Sequence, residues 1–157
     1  MWWDIRPHPD FGTVELRMCD GIPTLREVAA LAALAQSLVH WLDTLHDRGY
    51  QLPMPREWVL RQNKWRAARH GLDASLIIDD QGACRPIRDD IEELLEELRP
   101  IAERLGSASE LEDVRQILER GASYQRQRAV MAEEGTLVAV VESLIHELAT
   151  DEPGARP

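Results

Sequence analysis

The sequence predicts an α+β protein, a short antiparallel β-hairpin followed by a mostly α-helical bundle. Three observations predict it. Residues 1–20 alternate apolar and polar side chains in two stretches, with turn-forming residues between them. Residues 25–149 carry six runs with apolar residues at helical spacing. Glycine or proline stands at most of the breaks between those runs. The expected organisation is a hairpin over residues 1–20, a helical domain over 21–150 and a disordered tail over 151–157.

In the hairpin, Trp3, Ile5 and Pro7 alternate with Asp4, Arg6 and His8, and Val14, Leu16 and Met18 alternate with Thr13, Glu15, Arg17 and Cys19. Pro7 to Gly12 supplies the turn. Thr24-Leu25-Arg26-Glu27 is a capping-box start for a helix over 25–47, and Gly49 to Pro55 ends it. A second helix runs from Arg56 to His70, with Gly71 just past its end. Leu76-Ile77-Ile78 before Asp79-Asp80-Gln81-Gly82 reads as a short strand and turn. Asp89 and Asp90 lead an amphipathic helix to Gly106, its acids on the solvated face. Ser109-Glu110-Leu111-Glu112 repeats the capping box and opens a helix to Arg120, and Ser123–Glu133 and Thr136–Ala149 form the last two. A two-stranded ribbon is marginal in water, and the sequence offers no further convincing strands, so the chain reads as the back half of a protein or one subunit of a split one.

The 157 residues carry a formal charge of −10, which argues against nucleic-acid or anionic-membrane binding by bulk charge. Residues 1–70 hold 9 basic and 8 acidic side chains (+1), and residues 71–157 hold 9 and 20 (−11), so the acidity is confined to the second half. The residues around Asp4 and Arg6 lack the apolar stretch of a signal peptide, and the expectation is a soluble, cytoplasmic protein with Cys19 and Cys84 as reduced thiols. His8, His40, His46, His70 and His146 show no metal-binding spacing. The five tryptophans, Trp2, Trp3, Trp41, Trp58 and Trp65, are expected to anchor the core and an interface.

Side chains repeat every second residue along a strand, so Glu15 and Arg17 share a face roughly 6 to 7 Å apart, and Asp4 and Arg6 do the same on the other strand. If the strands pair with these faces together, two carboxylates and two guanidiniums converge opposite an apolar face. Carboxylates hold Mg²⁺ through hard oxygen ligands, and arginine forks clamp phosphate or carboxylate oxygens. On spacing alone the preferred reading of the same residues is cross-strand ion pairs on a solvated face. On the second helix Gln62, Arg66 and Arg69 share a face beside Asn63, as a substrate or nucleotide contact or as a solvated basic face.

The run Trp3-Asp4-Ile5-Arg6-Pro7-His8-Pro9-Asp10-Phe11-Gly12-Thr13-Val14-Glu15-Leu16-Arg17-Met18-Cys19-Asp20 resembles the signature of the ATP-dependent carboxylate-amine ligases of the glutamate-cysteine ligase type 2 family. A second resemblance follows at Asn63-Lys64-Trp65-Arg66-Ala67-Ala68-Arg69-His70-Gly71-Leu72. The likeness covers about residues 1–150, the C-terminal portion of a family member.

The resemblance implies a hairpin belonging to a glutamine-synthetase-like catalytic sheet, with ATP and Mg²⁺ as cofactors. Glu15 would ligate the metal, and Arg17 would clamp the phosphate or acyl phosphate. Arg6 would be a second clamp on the nucleotide and Asp4 would orient it, with Asn63 and Arg69 as further nucleotide-binding candidates. The implied partners are a glutamate-like carboxylate, an amine acceptor, and either the missing N-terminal half or a second copy. The contrasting expectation is a helical binding or accessory protein that keeps the ligase scaffold without its activity.

Overall fold

The computed structural model describes residues 4–156. The elements are β1 (Ile5–His8), β2 (Thr13–Leu16), α1 (Leu25–Asp47), α2 (Glu57–His70), β3 (Ser75–Ile77), β4 (Cys84–Pro86), α3 (Ile87–Leu105), α4 (Ala108–Arg120), α5 (Ser123–Glu134) and α6 (Leu137–Thr150). β1 pairs with β2 and β3 with β4, both antiparallel, in two separate two-stranded sheets. The α+β expectation holds. Trp2 and Trp3, expected on the apolar side of the hairpin, lie outside the described residues.

The first hairpin turns through a 3₁₀ segment, Pro9–Phe11, closed by Gly12 at φ 59°, whose N–H donates to the Pro9 carbonyl at 3.2 Å. This left-handed position suits glycine. The register sets Ile5 opposite Leu16 and Arg6 opposite Glu15. Ile5, Val14 and Leu16 share the other face, and all three are exposed, which leaves an apolar sheet face without a covering layer among the described residues.

The core lies among α1, α3 and α4. Ala30 and Ala33 of α1 meet Leu95, Leu98, Ile101 and Ala102 of α3 and Leu111 and Val114 of α4, with Leu38 and Trp41 packed at its edge. Small α1 residues bring the helix axes close, and leucines from α3 fill the gap. Trp58 and Trp65, expected as anchors, are about half exposed on α2. Arg115 of α4 reaches Glu92 at 2.8 Å and also pairs with Glu96 and Glu112, so the acidic face of α3 is partly neutralised by its neighbour.

Three local expectations change. The Glu27 N–H donates to the Thr24 hydroxyl oxygen as a capping box requires, but the Glu27 carboxylate accepts from the Thr24 hydroxyl at 2.9 Å instead of from the cap backbone, because Arg126 draws it inward. α4 begins at Ala108, one turn position before the expected Ser109 cap; Ser109 hydrogen-bonds its neighbour Glu110. A second strand, β4, follows the turn after β3, where Asp79 Oδ1 accepts from the N–H groups of Gln81 and Ala83. Residues 151–156 lie against the helices. The Asp151 carboxylate accepts from Arg26 N, and Gly154 N donates to Glu147.

The end of α2 is pinned by Tyr124 of α5, whose hydroxyl accepts from Leu72 N and donates to the His70 carbonyl, both at 3.2 Å. Gly71 between them has φ 56° and ψ −130°, and a Cβ there would stand 2.5 Å from the Tyr124 hydroxyl oxygen. Gly71→Ala therefore incurs about 1–3 kcal/mol of backbone strain and displaces the ring. Denaturant titration is expected to show that loss, and Tyr124→Ala in the same chain relieves the clash but not the strain. A Gly71→Ala midpoint equal to that of the parent overturns the assignment.

Candidate active site

Because β1 and β2 pair in the register described, Asp4, Arg6, Glu15 and Arg17 fall on one face of the hairpin. The Glu15 carboxylate lies 2.6 Å from Arg6 Nη2 across the strands and 3.3 Å from Arg17 Nη1. Arg17 N donates to the Asp4 carbonyl at 2.7 Å, extending the ladder beyond the regular strand ends. The four residues converge as the alternation predicts. The ion pairs expected from cross-strand spacing are present too.

The structure adds a fifth group that the sequence reading overlooked. Lys64 of α2 places Nζ 2.5 Å from Asp4 Oδ2, joining the helical part to the hairpin. Lys64 is the only lysine among 18 cations and follows Asn63 in the second motif. Those were the available signals. With Lys64 the cluster holds three cations and two carboxylates, a local +1 in a chain of −10. A positive patch on an acidic protein attracts anions locally while the remaining surface repels them.

Asn63, Arg66 and Arg69 do not join this cluster. Asn63 donates to the Ile77 carbonyl and accepts from Ile77 N, both at 2.8 Å, so its carboxamide acts as a splint between α2 and β3. Arg66 donates to the Ser75 carbonyl at 2.8 Å and approaches Cys84 Sγ at 3.1 Å. Arg69 is exposed. Gln62, on the same helix, is half-buried. Cys19 and Cys84 are free and exposed.

Among the described residues no group of three or more His, Cys, Asp or Glu side chains could hold a metal ion by itself. Mg²⁺ commonly takes one or two carboxylates and completes its shell with water and phosphate oxygens. Glu15 fits such a minority role, since its half-exposed carboxylate keeps lone pairs beyond those facing the arginines. Arg6 and Arg17 suit phosphate or carboxylate oxygens, which accept two-point contacts from a planar fork.

A model of the glutamate-cysteine ligase family 2 matches residues 1–143 of the chain. The chain is 58% identical over 154 residues to a Frankia alni protein named "Putative glutamate--cysteine ligase 2-1", covering 98% of the chain and 40% of that relative. It is 59% identical over 153 residues to the Thermobifida fusca "Putative glutamate--cysteine ligase 2", covering 98% and 38%. A Rhodococcus jostii protein, "Putative glutamate--cysteine ligase 2-2", is 51% identical over 151 residues, covering 96% and 40%. The chain thus spans about two-fifths of the length of these relatives.

Proposed function

Since the chain belongs to the glutamate-cysteine ligase family 2, we propose that it is the C-terminal part of an ATP-dependent carboxylate-amine ligase, completed by an N-terminal portion that supplies the rest of the nucleotide and metal site. The observation that carries this reading is the convergence of Asp4, Arg6, Glu15, Arg17 and Lys64 on one hairpin face while the opposite face stays uncovered. A solvated hairpin kept only as scaffold has no use for both features together.

In the proposed reaction a glutamate-like carboxylate oxygen attacks the γ-phosphorus of ATP and ADP departs, giving an acyl phosphate. The amine nitrogen then attacks the acyl carbon, inorganic phosphate leaves, and the nitrogen loses a proton to give the amide. Mg²⁺, when bound, neutralises charge on the phosphate oxygens. Arg17 holds the transferring phosphoryl group and then the leaving phosphate. Arg6 grips the nucleotide side. Glu15 would be the residue that holds the metal and, in the free state, keeps both guanidiniums aligned. Asp4 and Lys64 fix the start of β1. Such catalysis is mostly positioning and charge stabilisation, which suits guanidinium groups on a rigid strand pair.

The test compares the 157-residue chain with the same chain joined to the N-terminal portion of a full-length relative. Glutamate-dependent phosphate release from ATP is expected only in the joined protein. Turnover by the chain alone overturns its incompleteness. An inactive joined protein beside an active full-length relative overturns the ligase reading in favour of a non-catalytic accessory protein.

A further inference from the structure

Each of the three cations gathered at the hairpin already holds a carboxylate. Arg6 and Arg17 share Glu15, and Lys64 holds Asp4. The two oxygens of Glu15 divide between the arginines. Oε2 stands 2.6 Å from Arg6 Nη2, and Arg17 Nη1 donates to Oε1 at 3.3 Å and to Oε2 at 3.4 Å. One carboxylate therefore spans both guanidinium forks, the place a phosphate takes when two arginines grip it. Strand pairing puts it there. Glu15 faces Arg6 across the ladder, and Arg17 follows two residues on along the same face, so the contact is made wholly within the hairpin.

Two anions cannot hold the same donors. In the free state an incoming phosphate meets N–H groups that are engaged and a negative charge between them, which repels it. The contact is also easily exchanged. The side chains of Arg6, Glu15 and Arg17 are 49%, 42% and 29% exposed, and ion pairs this open to water hold weakly. Glu15 can leave without uncovering a buried charge, and the strands stay paired meanwhile through the bond from Arg17 N to the Asp4 carbonyl.

We infer that Glu15 is a latch on the phosphate seat, holding Arg6 and Arg17 until a divalent cation takes its carboxylate. The inference rests on the site proposed above and adds an order of events to it. A carboxylate that ligates a hard cation has its charge neutralised and its oxygens engaged, so both forks are released in one movement. The same side chain opposes phosphate in one state and admits it in the other. The seat therefore selects phosphate that arrives with its metal, the form in which a nucleoside triphosphate travels, and rejects bare phosphate or sulfate.

The experiment is a titration of the 157-residue chain with inorganic phosphate in the presence of a chelator, followed through the Nε–H resonances of Arg6 and Arg17. The parent is expected to bind weakly. Glu15→Gln, which keeps shape and loses the charge, is expected to bind phosphate at least about fivefold more tightly, with both arginine resonances moving together. Glu15→Ala is expected to repeat the gain with no amide in the seat. Asp10→Asn removes the same charge from the turn of the hairpin, where solvent screens it, and is expected to change the affinity by less than about twofold. In the chain joined to an N-terminal portion, Mg²⁺ is expected to raise the phosphate affinity of the parent by a larger factor than that of Glu15→Gln.

Three results overturn the latch. One is that neither Glu15 variant binds phosphate more tightly than the parent. Another is a gain in Asp10→Asn equal to that in Glu15→Gln, which a general charge effect gives. The third is an equal response of parent and Glu15→Gln to Mg²⁺. The ligase reading is judged separately by glutamate-dependent phosphate release. Activity without these gains overturns the latch alone, and these gains without activity overturn the ligase reading alone.

Discussion

In the joined ligase, Glu15→Gln is expected to lower turnover by about 10² to 10³, with weaker apparent affinity for Mg²⁺. The substitution keeps shape and removes the charge that a hard cation requires and that aligns Arg6 and Arg17. Arg17→Lys keeps a positive charge but loses the planar fork, so it is expected to reduce kcat by a similar factor while shifting KM for ATP less. If these residues are only surface ion pairs, each substitution costs about 0 to 1 kcal/mol of stability and leaves the kinetics intact. Steady-state assays at saturating Mg²⁺ and ATP separate the two. Near-normal kcat in both folded variants removes the site assignment.

The second large effect concerns stability. Arg126 of α5 is 9% exposed and bridges Glu27 of α1 at 2.9 Å and Glu147 of α6 at 3.1 Å, each of these 4% exposed. It also donates to the Gly121 carbonyl. Burial works against the Arg126 charge, but its hydrogen bonds to Glu147 and Glu27 and their negative charge more than offset it, and the guanidinium pKa is raised. A cation whose pKa rises on folding adds stability below its unfolded value and loses it only as pH climbs past the folded one. For arginine that window lies above about pH 12, so this contribution is constant at neutral pH.

Arg126→Met leaves two buried carboxylates facing each other without a counter-charge and is expected to cost about 3–5 kcal/mol. Urea titration measures it, and Arg126→Lys provides a folded comparison of smaller loss should the methionine variant fail to fold. Converting Glu27, Arg126 and Glu147 together to leucine, methionine and leucine is expected to recover most of the loss, since a well-packed apolar trio no longer buries unpaired charge. An Arg126→Met midpoint within about 1 kcal/mol of the parent would show that water reaches the triad.

Much of this was legible in the sequence where the signal is local. The alternation of Asp4, Arg6, Glu15 and Arg17 fixes their common face, because period-two geometry leaves no other choice once the strands pair. The helix at 25–47 announces itself through its apolar spacing, and the one at 123–133 through the glycines at 121 and 135 that flank it. β4 was hidden because Cys84-Arg85-Pro86 is three residues long and ends in proline, and only its pairing with β3 makes it a strand. Lys64 was overlooked for a different reason. Its role depends on where α2 comes to rest against the hairpin, a tertiary fact that no window around residue 64 contains. The same holds for Asn63, whose carboxamide serves the β3 backbone. Arg126 looked like one cation on a polar helix, and only the meeting of α1, α5 and α6 turns it into a buried bridge.

The bond between Glu27 and Arg126 also sets a schedule. The two residues are 99 positions apart, and ribosomes extend chains at about 5–20 residues per second. For roughly 5 to 20 seconds of synthesis, then, the carboxylate in the N-terminal turn of α1 exists while the cation that neutralises it does not. During that interval the longest helix of the chain, uncharged from Val28 to Leu42, waits without its later partners.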